Sequence, residues 1–271
     1  MSRRRRELFV AGALALVSGA QSGAEPLQPL KPWVLDYAEA QCLASRDYAT
    51  PDSQITLAIR PIPNGTAYEI FAIRSAPGPI FAEELTGSVD FGRGPIKAWL
   101  LHYRIDAKRR EAFQFRIGRL EMMEARGALA VTLNIKDRVP IIFSLEAMPD
   151  LLDGLDACIA DLKRYWNMDA TQVATVAVPP KGDVRSVFSS EDYPDEALTR
   201  GQEGRAQFLL LIDEAGRVAA CDVTLPSGVP ALDAVGCIAI RSRAKFRPAR
   251  DHSGKTTKST FVTPPVSWRL M

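Results

Sequence analysis

The span from Arg205 to Leu270 leaves this chain few ways to fold. An apolar arm, Ala206 to Ile212, is followed by Asp213-Glu214-Ala215-Gly216 and a second arm, Val218 to Leu225. A polar run ending in a glycine, which takes positive φ at no steric cost, reverses the chain, so the two arms form a hairpin. Ser227-Gly228 ends the second arm. Pro230 suits the first turn of a helix, where its missing N–H would be unpaired in any case. Leu232, Val235, Ile238 and Ala239 then recur at helical spacing, and Phe246 and Pro248 close that helix. A final strand is expected from about Lys258 to Leu270. Pro264 and Pro265 can donate no ladder bonds, so one side of it should be an edge or a bulge. These residues describe one small α+β unit.

At 271 residues the chain has room for one or two domains, and 46% hydrophobic against 24% charged residues supplies ordinary globular cores. Its first residues read as an export signal. Arg3 to Arg6 form a positive stretch, Leu8 to Ala20 is apolar, and Ser22-Gly23-Ala24 offers a cleavage site before Glu25. The apolar run falls short of the roughly 20 residues that span a bilayer. The general secretory route and the twin-arginine route both fit the arginine-rich start. Removing residues 1–24 takes away four Arg and one Glu and turns the formal charge from +2 to about −1. A near-neutral chain gives no reason to expect nucleic acid, or a membrane surface once the signal is cleaved.

Glu25 to Pro32 is proline-rich and reads as a tether. From residue 33 to 168 the pattern is that of a β-rich domain. Gln54 to Arg60 alternates as a half-buried strand does, Asn64-Gly65 marks a reversal, and Tyr68 to Arg74 follows. Further strands are expected at Ile80 to Phe91, Ile96 to Ile105, around Phe113-Phe115-Ile117, at Leu129 to Ile135 and at Val139 to Leu145. The period then changes. After Pro149, Leu151, Leu155, Cys158, Leu162 and Tyr165 fall on one stripe, with aspartates early and Lys163 and Arg164 late, as the helix dipole favours. The expectation is an antiparallel sheet, with a sandwich-like arrangement as one option, closed by one helix. Residues 169–184 read as a linker.

Four cysteines fit an oxidising compartment and allow three pairings. One bridge within each half, Cys42 with Cys158 and Cys221 with Cys237, is the economical choice. No pair has C-x-x-C spacing and the chain has only two histidines, so metal or redox chemistry is poorly supported. His102, on an apolar strand, reads as a satisfied structural histidine, and His252 as part of a turn. Glu83 and Glu84 are strand neighbours and so point to opposite faces. No nucleophile elbow, Walker loop, dinucleotide fingerprint or H-E-x-x-H motif occurs. Arg241, Arg243, Lys245, Arg247 and Arg250 read as a solvated helix end, the alternative being a patch for an acidic partner. The sequence calls for no catalytic residue, no metal and no cofactor.

Tyr193-Pro194, the hairpin from Gly204 to Val218, Ser227-Gly228, Leu232-Asp233, Phe246-Arg247-Pro248-Ala249 and Pro265-Val266-Ser267-Trp268 occur in the order in which the C-terminal domain of the TonB family carries such pieces. Residues 185–271 resemble that domain, under a third of the chain. The resemblance implies two helices packed on a three-stranded antiparallel sheet, in an α+β chain whose N-terminal domain resembles no family recognised from its residues. It further implies a non-enzymatic protein partner site. In that family a segment of an outer-membrane receptor adds as an extra strand beside the last strand. Here the neighbours of such a guest would be Ser259, Phe261, Val262, Val266 and Trp268, although Phe261, Val266 and Trp268 also fit ordinary core positions. The energy transducers of the family have a membrane anchor with placed Ser and His residues and a long proline-rich linker. This chain departs from them on each count. The expectation is therefore an exported periplasmic binding protein. A transducer variant anchored by an uncleaved N-terminus is the alternative, and pairing of two copies through the edge strand is an option.

Overall fold

The computed structural model describes residues 25–270 apart from 39, 52, 78–81, 107 and 108. The expected export signal, residues 1–24, lies outside them, as do Ile80 and Phe81 of the strand expected from Ile80 to Phe91. The N-terminal half runs β1 (Val34–Ala38), β2 (Gln41–Ala49), β3 (Gln54–Pro61), β4 (Ala67–Ser75), β5 (Glu83–Asp90), β6 (Ile96–Asp106), β7 (Arg110–Gly118), the one-turn helix α1 (Arg119–Met122), β8 (Ala130–Ile135), β9 (Ile141–Ser144) and the long helix α2 (Met148–Tyr165). All nine strands belong to one antiparallel sheet in the order β1-β2-β3-β4-β7-β6-β5-β8-β9. It is a single curved half-barrel and not a sandwich.

Alternation puts Ile55, Leu57, Ile59, Tyr68, Ile70, Phe113, Phe115 and Leu100 on the inner face, in a buried cluster closed by Leu151, Leu152, Leu155, Ile159 and Leu162 of α2. Cys42 on β2 is bonded to Cys158 on α2, with Cα atoms 6.3 Å apart, so the helix is stapled to the sheet it covers. The expected tether instead runs between β9 and the far half of β2. Leu27 exchanges backbone hydrogen bonds with Ile142 and Ser144 of β9, at 2.8 and 3.0 Å. On the other side Leu30 donates to Asp47 and Ala49 donates to Gln28, both on β2.

The stretch expected as a linker is folded too. It forms α3 (Ala170–Thr175) and β10 (Val176–Val178), followed by a backbone bridge from Lys181 to Arg247 at 3.0 and 2.8 Å. The C-terminal part then runs α4 (Asp195–Thr199), β11 (Gly204–Ile212), β12 (Val218–Leu225), α5 (Pro230–Arg243), β13 (Ala249–Asp251), β14 (Thr256–Thr257), β15 (Ser259–Val262) and β16 (Val266–Trp268). β10 pairs with β13, which sews the connecting segment to this part of the fold. The main sheet has β12 on one side of β11, with β15 and β16 end to end on the other. Gly216 takes φ +80° in the hairpin turn, the conformation for which a glycine was required there. One sheet face, with Phe208, Leu210 and Ile212, packs against Leu232 and Ile240 of α5. Cys221 on β12 is bonded to Cys237 on α5, Cα atoms 5.7 Å apart.

The opposite face of that sheet is turned to the half-barrel. Leu209, Leu211 and Ala220 belong to the half-barrel's buried cluster. Beside them lies a polar seam. Arg60 donates to Glu69 Oε2 at 2.7 Å through Nε, and Gln114 donates to Glu69 Oε1 at 2.9 Å. Asp222 of β12 is half-buried among Arg60, Glu69 and Arg116, and desolvation raises its carboxyl above the ordinary value despite the two guanidinium groups. Gln202 donates to Ala82 O at 2.8 Å, and Lys258 lies 5.6 Å from the Tyr165 ring centre, so the two parts also meet at other points.

Candidate partner-binding edge

The last strand is where sequence and sheet together leave backbone to spare. Ser259 to Val262 pair with Ile212 to Leu209, and Val266 to Trp268 pair with Ala206 to Gly204, all antiparallel. Pro264 and Pro265 separate the two ladders, so the strand expected from Lys258 to Leu270 is broken into β15 and β16. Thr263 bridges the gap: its N–H donates to Phe208 O at 2.9 Å and its Oγ1 accepts from Phe208 N at 3.1 Å. Among the described residues no strand pairs with the outer side of β15 or β16. That side is an edge with unspent N–H and C=O groups.

The expected site residues are distributed as follows. Ser259, Val266 and Trp268 are buried. Phe261 is half-buried and meets Phe246 edge-on at 5.0 Å. Val262 is 52% exposed, the one side chain of the five that stands clear of the core. Trp268 is held edge-on by Phe188 at 5.3 Å and by Tyr193 at 5.8 Å. Beside β16 these rings line a groove of about 520 Å³, with Arg185 and Arg269 at its margin. The Trp268 indole nitrogen is buried and bonds to no group among the described residues. Phe188 and Arg185 did not figure in the sequence reading. They precede the Tyr-Pro helix start in a stretch without periodicity, and only the fold brings them alongside the last strand.

The remaining polar clusters are structural in character. His102 is 5% exposed and stacks on Phe113 with ring centres 4.3 Å apart. Its Nε2 lies 2.7 Å from Glu111 and its Nδ1 3.0 Å from Glu83. Burial pushes the Glu111 carboxyl up, but His102 and Arg74 outweigh burial and hold it below the usual range. His252 Nε2 meets Ala174 O at 3.2 Å in the turn after β13. In the basic run, Arg243 pairs with Asp192 at 2.6 Å and Arg250 donates to Gly254 O. Among the described residues no group of three His, Cys, Asp or Glu is arranged to hold a metal ion. None of their helices is long and apolar enough to cross a membrane.

Residues 189–270 match the family model described as Gram-negative bacterial TonB protein C-terminal. No curated protein matches the chain. The match covers the β11–β16 sheet with its helices and leaves the half-barrel outside it. It marks the C-terminal part as TonB-like, a domain generally non-enzymatic and associated with outer-membrane transport through contact with receptors.

Proposed function

We propose that this chain, taking its TonB-like C-terminal part as the premise, is an exported, non-enzymatic binding protein of the bacterial periplasm that receives an extended segment of a partner as an extra strand beside β15 and β16. The observation that carries this reading is the unpaired outer edge of the last strand. Strand addition draws its affinity from main-chain hydrogen bonds, so burial of Ser259, Val266 and Trp268 does not oppose it. Those side chains fix the edge in place, while Val262 and the groove beside Trp268 are what a guest's alternate side chains would meet. The partner that fits is the periplasmic segment of an outer-membrane receptor. An anchored transducer is less well supported. Six residues lie between Ala20 and Leu27, which already bonds to the sheet, and the seven steps of chain span about 25 Å at most. The connecting segment that would have to supply reach is folded.

The test is a photo-crosslinking amino acid placed at Val262 or Ser267 in the native bacterium, with Ala219 on the opposite edge as control. Adducts to an outer-membrane receptor from the first two positions and not from Ala219 are expected. A self-adduct would replace this reading by pairing of two copies, and equal adducts from all three positions would overturn it. Fractionation of the same cells should recover the protein in the soluble periplasm with a mature N-terminus near Glu25.

A further inference from the structure

We propose that the seam between the half-barrel and β12 binds a small molecule carrying one oxyanion, a carboxylate or a phosphate, on a flat apolar body. A cleft of about 380 Å³ opens there between Trp99 and Arg116 of the half-barrel and Thr224, Leu225 and Pro226 of the C-terminal sheet. That volume lies within the range of ligand pockets. Trp99 and Arg116 are directly opposed on β6 and β7, and both side chains line the cleft. Arg116 Nη1 is buried and bonds to no group among the described residues. A buried cationic donor without a bonded acceptor is a costly arrangement, which a bound anion would relieve.

The neighbouring carboxylates do not fill the role. Glu69 spends both oxygens on Arg60 and Gln114. Asp222 lies within electrostatic reach of Arg116 but makes no hydrogen bond to its Nη1. Thr66 and Asn64 stand at the rim. The Asn64 Oδ1 is taken by the N–H and hydroxyl of Thr66, which leaves the amide NH2 to donate to a ligand. A flat body stacked on Trp99 would bring its oxyanion to Arg116, the fork geometry that guanidinium favours.

The experiment is a titration of the full 15N-labelled chain, reading the Trp99 indole N–H, with benzoate, phenyl phosphate and neutral benzyl alcohol as probes. Saturable shifts with the two anions are expected, with Kd of about 1–10 mM for such small fragments. Benzyl alcohol should bind at least about tenfold more weakly, and Arg116→Gln should lose about the same factor for the anions. The tighter of benzoate and phenyl phosphate tells carboxylate from phosphate recognition. Equal binding of benzyl alcohol, unchanged affinity in Arg116→Gln, or no saturable shift overturns the proposal. Should the variant fail to fold, the comparison of charged and neutral probes on the unaltered protein decides. The seam flanks β12, across the sheet from β15, so a negative result here leaves the strand-addition reading standing.

Discussion

Asp233 shows how a single buried carboxyl sets a pH response. It is 9% exposed at the start of α5, and its Oδ1 accepts from Ser227 N at 2.9 Å. Burial pushes its pKa from 3.8 up to about 6, against the lowering effect of Ser227. Because the folded form holds the proton more tightly than the unfolded form, the stabilisation is full below the unfolded pKa and is lost as pH rises through the folded one. Stability should therefore fall between about pH 4 and pH 6, by on the order of 2–3 kcal/mol from this group. Asp222, shifted the same way, adds to the trend. Asp233→Asn should flatten the slope, measured as denaturation midpoints across that interval; an unchanged slope would refute the assignment. Single residues of this kind were only half legible. His102 could be read as a satisfied strand histidine from its apolar neighbours, but Glu83 and Glu111 reach it only through strand pairing. Arg46 carries no such signal. It faces inward on β2 between Ala44 and Tyr48, 7% exposed, with its Nε donating to Lys31 O at 2.7 Å. A charge on the inner face breaks the alternation of β2.

At the scale of elements, the helix-on-sheet contact of the C-terminal part rests on Gly236. A Cβ at this position of α5 would fall inside contact distance of Phe208 Cζ, and Phe208 is wholly buried. In an exposed helix Gly→Ala gains up to about 1 kcal/mol. Here Gly236→Ala should instead cost about 1–3 kcal/mol by overpacking, seen as a lower melting temperature. A stabilised variant would show that α5 can lift from the sheet. The hairpin, α5 and the break in the last strand were legible because turn glycines and prolines act on the backbone directly. The Cys221–Cys237 bridge pins α5 to β12, and closing a loop of that length contributes roughly 3 kcal/mol in the chain-entropy view. The groove beside Trp268 was not legible. Its walls come from residues about 80 apart in sequence, and no periodicity connects them.

For the whole molecule, the decisive fact is a core that does not respect the boundary suggested by composition. Leu211 lies in the C-terminal sheet and is fully buried in the half-barrel's cluster. Leu211→Ala should cost about 2–5 kcal/mol. It should lower a single calorimetric transition of the entire chain and not split it into two; separate transitions would mean that each part melts alone. A sequence cannot announce such a shared core, because alternation along β11 shows only that both faces are apolar, not what covers the second.

The folded connection between the two parts also bears on how the chain is degraded. Proteases nick where backbone is exposed and free of hydrogen bonds. Residues 169–184 offer little of that: helix α3, the β10–β13 pairing and the Lys181–Arg247 bridge hold them, and Val184 is buried. The turn at Gly92-Arg93-Gly94 is exposed throughout and, among the described residues, held only by the bonds of Gly92 N and Gly94 N to the Asp90 carboxylate, so it is the more open target. A first cut there would fall inside the half-barrel, between β5 and β6, and would break the scaffold whose buried cluster takes in Leu209 and Leu211 of the docking sheet. Turnover would then remove the docking edge and its scaffold together.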